Sequence, residues 1–170
     1  MNAVLSRWNL LPSNEAAQEV LPCCGSRAWA NNLANSRPIE DVDILLATSD
    51  TIWRNLSIVD WSEAFQSHPR IGETRAPREL SARAQAWSGQ EQQFAAQSAD
   101  SLKAALAEAN REYEQRFHRI FIICASGRSA EEILANLRHR LHNDDATELK
   151  EAAEQQRQII QIRLRKWLAE

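Results

Sequence analysis

The chain has 170 residues, of which 44% are hydrophobic and 25% charged, with a formal net charge of -3 and a pI near 5.9. Those values fit one globular domain over residues 1–170, able to bury its own core, and exclude a disordered chain. The acidic balance argues against a nucleic-acid protein, which would present a basic face, and no run reaches the roughly 18 apolar residues of a membrane span.

Met1 to Leu11 lacks a basic region followed by an apolar run, so it does not read as a secretory signal. The terminal Trp167-Leu168-Ala169-Glu170 is not a peroxisomal address. A cytoplasmic protein is therefore expected. The three cysteines, Cys23, Cys24 and Cys124, make a poor disulfide framework and fit no zinc spacing, so buried reduced thiols are expected.

Ala, Glu, Gln, Leu and Arg dominate, and only 4 glycines and 5 prolines interrupt them, which favours helices throughout. Ser13 is placed to cap a helix running toward Leu21, closely followed by Pro22. Ser26 is placed to cap Arg27 to Asn35, with Trp29 and Leu33 on one face. Pro38 sits near the start of a third helix through Ile44 and Leu45, and Asp50 can cap another that turns Ile52, Trp53 and Leu56 inward. Trp61, Ala64 and Phe65 suggest a helix running into His68.

Between Arg70 and Glu79, Gly72 and Pro77 mark a loop. Ser88 to Phe117 reads as one long helix, with Phe94, Leu102, Ala105, Leu106, Ala109 and Tyr113 at helical spacing. Ile120 to Ala125 is apolar and β-branched; with no partner strand in view, a buried helical or extended segment is expected. Ser129 and Glu132 have capping-box spacing and open a helix through Leu141, Asn143 to Ala146 is a turn, and a last helix runs from about Thr147 to Trp167. The sum is an all-α, single-domain bundle of about eight to ten helices, with most of the six tryptophans as core anchors.

Several polar residues could carry chemistry. His68 precedes Pro69, which disfavours helix at His68 and leaves its ring at a helix end, either capping that end or holding a proton near neutrality. Ser88 and Glu91 have capping-box spacing, and the helix start they imply would offer free N–H groups to ligand oxygens. Arg163 falls on an apolar face with Ile159, Ile160 and Trp167, where a guanidinium needs a partner: a structural glutamate or a substrate oxygen. His139 and His142 lie three apart but lack an acidic ligand pattern, and neither a phosphate loop nor a nucleophile elbow is present.

Taken together, His68-Pro69-Arg70-Ile71-Gly72, Ser88 with Glu91-Gln92, Phe121-Ile122-Ile123-Cys124-Ala125 and Ile162-Arg163-Leu164 resemble, in order and spacing, the 2-oxo-4-hydroxy-4-carboxy-5-ureidoimidazoline (OHCU) decarboxylases of urate degradation, in a bacterial form. The early Leu21-Pro22-Cys23-Cys24-Gly25-Ser26 and Trp29 extend the likeness over nearly the whole chain, although Pro77 to Trp87 looks longer than in animal relatives.

The resemblance implies a homodimeric all-α carboxy-lyase, without metal or organic cofactor, that converts OHCU to (S)-allantoin and CO2 in the third step from urate. It implies His68, Glu91 and Arg163 as catalytic, with His68 the proton donor, and Pro69, Ser88, Gln92, Phe121, Ile122, Ile123, Cys124 and Ala125 as substrate-binding. The chemistry suits those residues: the charge left by CO2 can spread into the adjacent imidazoline carbonyl, so the substrate is its own electron sink. The substrate also decays unaided to racemic product, so handedness tests catalysis more strictly than substrate loss. A helical interaction module with Arg163 as interface anchor, or a small lyase for another substrate, are the competing readings.

Overall fold

The computed structural model describes residues 2–72, 81–96 and 98–170. The expected loop residues Pro77 and Glu79, and the expected inward side chain of Phe94, lie outside what is described. Among the described residues the fold is all-α, with ten helical segments and no strand. None of the helices is long and apolar enough to cross a membrane. Chain contacts gather the residues into two compact units, one of Met1–Ala64 with Arg157–Glu170 and one of Phe65–Gln156.

The first unit holds α1 (Ala3–Asn9), α2 (Ser13–Cys24), α3 (Arg27–Asn35), α4 (Val42–Arg54), most of α5 (Ile58–Gln66) and the C-terminal part of α10 (Asp145–Trp167). α1 was not anticipated; Asn2 caps it by accepting the Leu5 N–H. α2 runs through Pro22 rather than stopping before it, and its N-cap is Pro12 rather than Ser13. Its end is set by Gly25 at φ 87°, whose N–H returns to Leu21 O at 2.8 Å. That left-handed position is one where glycine escapes the Cβ clash, and it stops α2 after Cys24. Ser26 then caps α3 as expected, accepting the Trp29 N–H at 3.3 Å.

Asp50 does not start a helix. α4 is capped at Asp41, which accepts the Ile44 N–H at 2.8 Å, and continues unbroken to Arg54. Asp50 instead accepts from Arg157 Nη1 and Gln161 Nε2, each at 2.7 Å, so a tertiary ion pair displaces the expected cap. The tryptophans are the anchors of this unit: Trp8, Trp29, Trp53 and Trp167 are at most 1% exposed. Trp8 meets Trp167 edge-on at 5.6 Å, and their indole N–H groups donate to Ala16 O and Glu19 Oε1. These two rings thus bury large apolar bodies while the one donor of each stays bonded.

The second unit holds α6 (Ala82–Glu91), α7 (Gln93–Ala96), α8 (Asp100–Phe117), α9 (Ala130–Arg140) and the N-terminal part of α10. The single long helix expected from Ser88 to Phe117 is three pieces. Gln92 ends α6 at φ -101° and ψ 11°, and the Ser98 hydroxyl donates back to Ala95 O at 2.7 Å, competing with helix continuation. α8 stops at His118, a left-handed residue at φ 54° whose N–H returns to Glu114 O. The chain then runs extended from Ile120 to Ala125 with no helix, turn or bend, resolving the open expectation in favour of extended.

Both capping-box bonds at Ser129 and Glu132 form, at 3.1 and 2.7 Å, and α9 follows them. α10 begins at Asp145, slightly before the expected Thr147. Ser129→Ala should therefore destabilise the protein by about 1 kcal/mol, the usual worth of an N-cap hydroxyl. Urea unfolding checks this; an unchanged midpoint would show that α9 does not need its cap.

Candidate functional site

His68 lies just beyond α5, 8% exposed, with its N–H donating to Phe65 O at 3.2 Å. The turn that follows is held by side chains from elsewhere in the same unit. Asn110, buried on α8, donates to Ile71 O at 3.2 Å, and Glu114, one helical turn on, pairs with Arg70. Gly72 sits at φ 85° and donates its N–H to Gln92 Oε1 at 3.3 Å. Ile71 itself enters the apolar core. The His68–Gly72 turn is thus fixed from both sides rather than left as a surface loop.

Ser88 and Glu91 do not open a helix. Ser81 is the N-cap of α6, accepting the Ala84 N–H at 3.2 Å, and Ser88 is buried in its last turns. Glu91 is the final residue of α6, and Gln92, its C-cap, donates its N–H to Ser88 O. The free helix-start N–H groups expected beside Ser88 are therefore not there. Ser88, Glu91 and Gln92 gather at a helix C-terminus, and Gln92 reaches the His68 turn through Gly72.

All five residues from Phe121 to Ala125 are buried. Phe121, Ile123 and Ala125 share one core with Ile71, Leu106, Tyr113 and Leu137, whereas Ile122 and Cys124 do not belong to it. This is the period-2 alternation of an extended chain. The backbone alternates in the same way. Ile122 O accepts from Arg140 Nη1 at 2.8 Å, Cys124 N–H donates to Gln155 Oε1 at 2.9 Å, and Cys124 O accepts from Arg128 Nε at 3.0 Å. One edge is thereby occupied. On the other, neither the Ile123 nor the Ala125 N–H finds an acceptor among the described residues. Buried N–H groups in that state are rare, and they are donors ready for a ligand oxygen.

Arg140 and Glu148 hold this arrangement. They are 2% and 0% exposed. Arg140 Nε donates to Glu148 Oε1 at 2.9 Å, and Glu148 also accepts from Tyr113 and Asn143. The guanidinium lies 4.5 Å from the centre of the Phe121 ring. Burial, and then the Glu148 carboxylate, push the Tyr113 hydroxyl well above its ordinary range, so it stays a neutral donor. Sequence reading missed both Arg140 and Gln155. The signal was present: Arg140 follows Ile133 and Leu137 on one helix face, and Gln155 lies between Ala152 and Ile159 on another, the same logic that singled out Arg163.

Arg163 belongs to the first unit, 1% exposed, with Ile159, Ile160 and Trp167 buried around its turn as expected. Its Nη1 donates to Pro22 O at 3.3 Å. Burial raises the nearby Cys24 thiol, against which the Arg163 charge acts in the opposite direction. Cys23, Cys24 and Cys124 are all buried and in no disulfide. Among the described residues no cluster of His, Cys, Asp or Glu could hold a metal ion.

Arg140→Met should strand Glu148 as a buried charge and cost roughly 3–5 kcal/mol of stability. Urea unfolding measures this, and the Arg140→Met/Glu148→Leu double variant should recover most of it. A single-variant loss below about 1 kcal/mol, the level of an exposed pair, would contradict the account.

A protein-family model described as OHCU decarboxylase matches residues 9–165. The uric acid degradation bifunctional protein TTL of Arabidopsis thaliana is 39% identical over 145 residues, which cover 85% of this chain and 44% of that protein. The 2-oxo-4-hydroxy-4-carboxy-5-ureidoimidazoline decarboxylase of Amia calva is 41% identical over 61 residues, 36% of this chain and 35% of that one. The matched regions thus span less than half of either curated relative. These are plant and fish proteins, which lend no support to the expected bacterial type. Among solved structures, a crystal structure of OHCU decarboxylase in the presence of (S)-allantoin is 35% identical with a TM-score of 0.75, covering 89% of this chain and 98% of that one. A crystal structure of (S)-allantoin synthase has a TM-score of 0.72 at 19% identity, covering 96% of this chain and 53% of that one, a likeness of fold alone.

Proposed function

The chain belongs to the OHCU decarboxylase family, and from that premise we propose that it is a carboxy-lyase that converts OHCU to (S)-allantoin and CO2 in urate degradation. The observation that carries the reading is the buried extended run at Phe121–Ala125, pinned along one edge and offering the Ile123 and Ala125 N–H groups on the other. A ring rich in carbonyl and ureido groups is the kind of ligand that such fixed donors suit. The solved relative described in the presence of (S)-allantoin adds support.

The reaction breaks the bond between the quaternary carbon and the carboxylate. The bonding pair stays on the substrate and spreads into its ring, so the substrate supplies its own electron sink and no cofactor takes part. The protein then has two tasks, to stabilise that charge and to protonate one face. Ile123 and Ala125 N–H groups take the first, because donors fixed before the charge develops need little reorganisation; the family resemblance gives Arg163 a catalytic part as well. His68 takes the second: its imidazolium gives a proton to the neighbouring ureido-bearing carbon, the hydroxyl on the carbon that lost CO2 gives up its proton to become the ring carbonyl, and His68 recovers a proton from solvent. Glu91 orients the imidazole and, with Ser88 and Gln92, reads the ureido arm; Pro69 keeps the His68 backbone out of helix. The homodimeric state and the cytoplasmic location belong to the same proposal.

His68→Asn should lower turnover by about 10²–10⁴-fold while leaving the fold intact. Circular dichroism of allantoin formed from fresh OHCU measures it against wild type and against spontaneous decay. Rapid (S)-allantoin from wild type, lost in a folded variant, is the expected result. An unchanged rate and handedness in the variant would remove His68 from proton delivery.

A further inference from the structure

In an extended chain the N–H and C=O of one residue face the edge opposite to those of its neighbours. Ile122 and Cys124 therefore turn one edge inward, and Ile123 and Ala125 present the other. Three side chains grip the first edge: Arg140 at Ile122 O, Gln155 at Cys124 N–H and Arg128 at Cys124 O. Only one of the three accepts a hydrogen bond. Gln155 is 6% exposed, and its amide is itself oriented, with Nε2 donating to Glu151 Oε1 at 2.9 Å. Its Oε1 is therefore turned toward Cys124 and fixes the rotation of the run about its own axis.

We propose that Gln155 is a positioning residue for the reaction: by binding the Cys124 N–H it aims the Ile123 and Ala125 N–H groups at the substrate. The inference rests on the decarboxylase reading. Gln155 touches no reacting atom on this account. Without its acceptor the Cys124 N–H, buried and unbonded, would turn the run in search of a partner, carrying the opposite edge with it. A misplacement of about 1 Å at a site that relies on positioning can cost about 10²-fold in rate.

The test compares wild type with Gln155→Met, which keeps the volume and removes the acceptor, and with the double variant Gln155→Glu/Glu151→Gln, which exchanges amide and carboxylate and so keeps both an oxygen for Cys124 and a donor between the two side chains. Rates and enantiomeric purity of allantoin are measured on fresh OHCU, with enough enzyme that spontaneous decay is negligible. For folded Gln155→Met we expect kcat to fall by about 10²-fold with a smaller change in KM, and the product to lose enantiomeric purity; the Gln155→Glu/Glu151→Gln exchange should keep most of both. Loss of folded protein alone would lower rate but not purity, so purity separates positioning from support. Arg128→Met, at a half-exposed position, removes the second grip on Cys124 and should shift purity in the same direction by less. It decides the matter if Gln155→Met does not fold. Unchanged kcat and purity in the folded variants, with an active wild type, would overturn the inference alone. A wild type that does not outpace spontaneous decay would overturn the decarboxylase reading and the inference with it.

Discussion

The second unit depends on one constraint: an extended run of backbone is buried with no neighbouring strand among the described residues to bond it. Phe121 to Ala125 carries apolar side chains that gain by burial, but its peptide groups lose water and need replacements. Side chains supply them. The buried Arg140–Glu148 pair is the costliest of these devices, because two charges leave water together. It persists because its bonds are nearly complete. Arg140 reaches Glu148 and Ile122 O at once, and Glu148 also receives Tyr113 and Asn143. Tyr113, held neutral by burial, adds a donor without adding a charge.

The same economy fixes the His68 turn. Asn110 and Glu114 are neighbours on one face of α8, and they hold Ile71 O and Arg70 respectively. Ile71 then drops into the core that also receives Phe121, Ile123 and Ala125. Two segments more than forty residues apart in sequence are thus seated on one apolar cluster and steadied by α8. Groups that must meet a small polar ligand are better carried by a rigid scaffold than by free loops.

How much of this was legible in the sequence follows the range of the forces. Local rules worked where the bonds are local: Ser26 and Ser129 cap the helices their spacing announces, and the Arg163 stripe is buried. They failed where a distant partner decides. Asp50 looks like a cap until Arg157 and Gln161 claim it, and Ser88 with Glu91 looks like a capping box until Ser81 starts the helix earlier. The extended run was visible as β-branched apolar residues, but which of its edges is bonded depends on Arg140 and Gln155, which no local pattern connects to it. The candidate residues themselves were named by resemblance, whereas their support was seen only once the chain was folded.

One edge of Phe121–Ala125 is bonded by the protein, and on the other the Ile123 and Ala125 N–H groups are left for the ligand. The most direct test is a backbone amide NMR titration of the free protein with (S)-allantoin, accessible for a chain of 19.3 kDa. The Ile123 and Ala125 amides should shift most within this run and exchange more slowly with ligand, while Cys124, already bonded to Gln155, changes little. Saturable binding with the largest change at Cys124, or with none at Ile123 and Ala125, would contradict this division of the two edges.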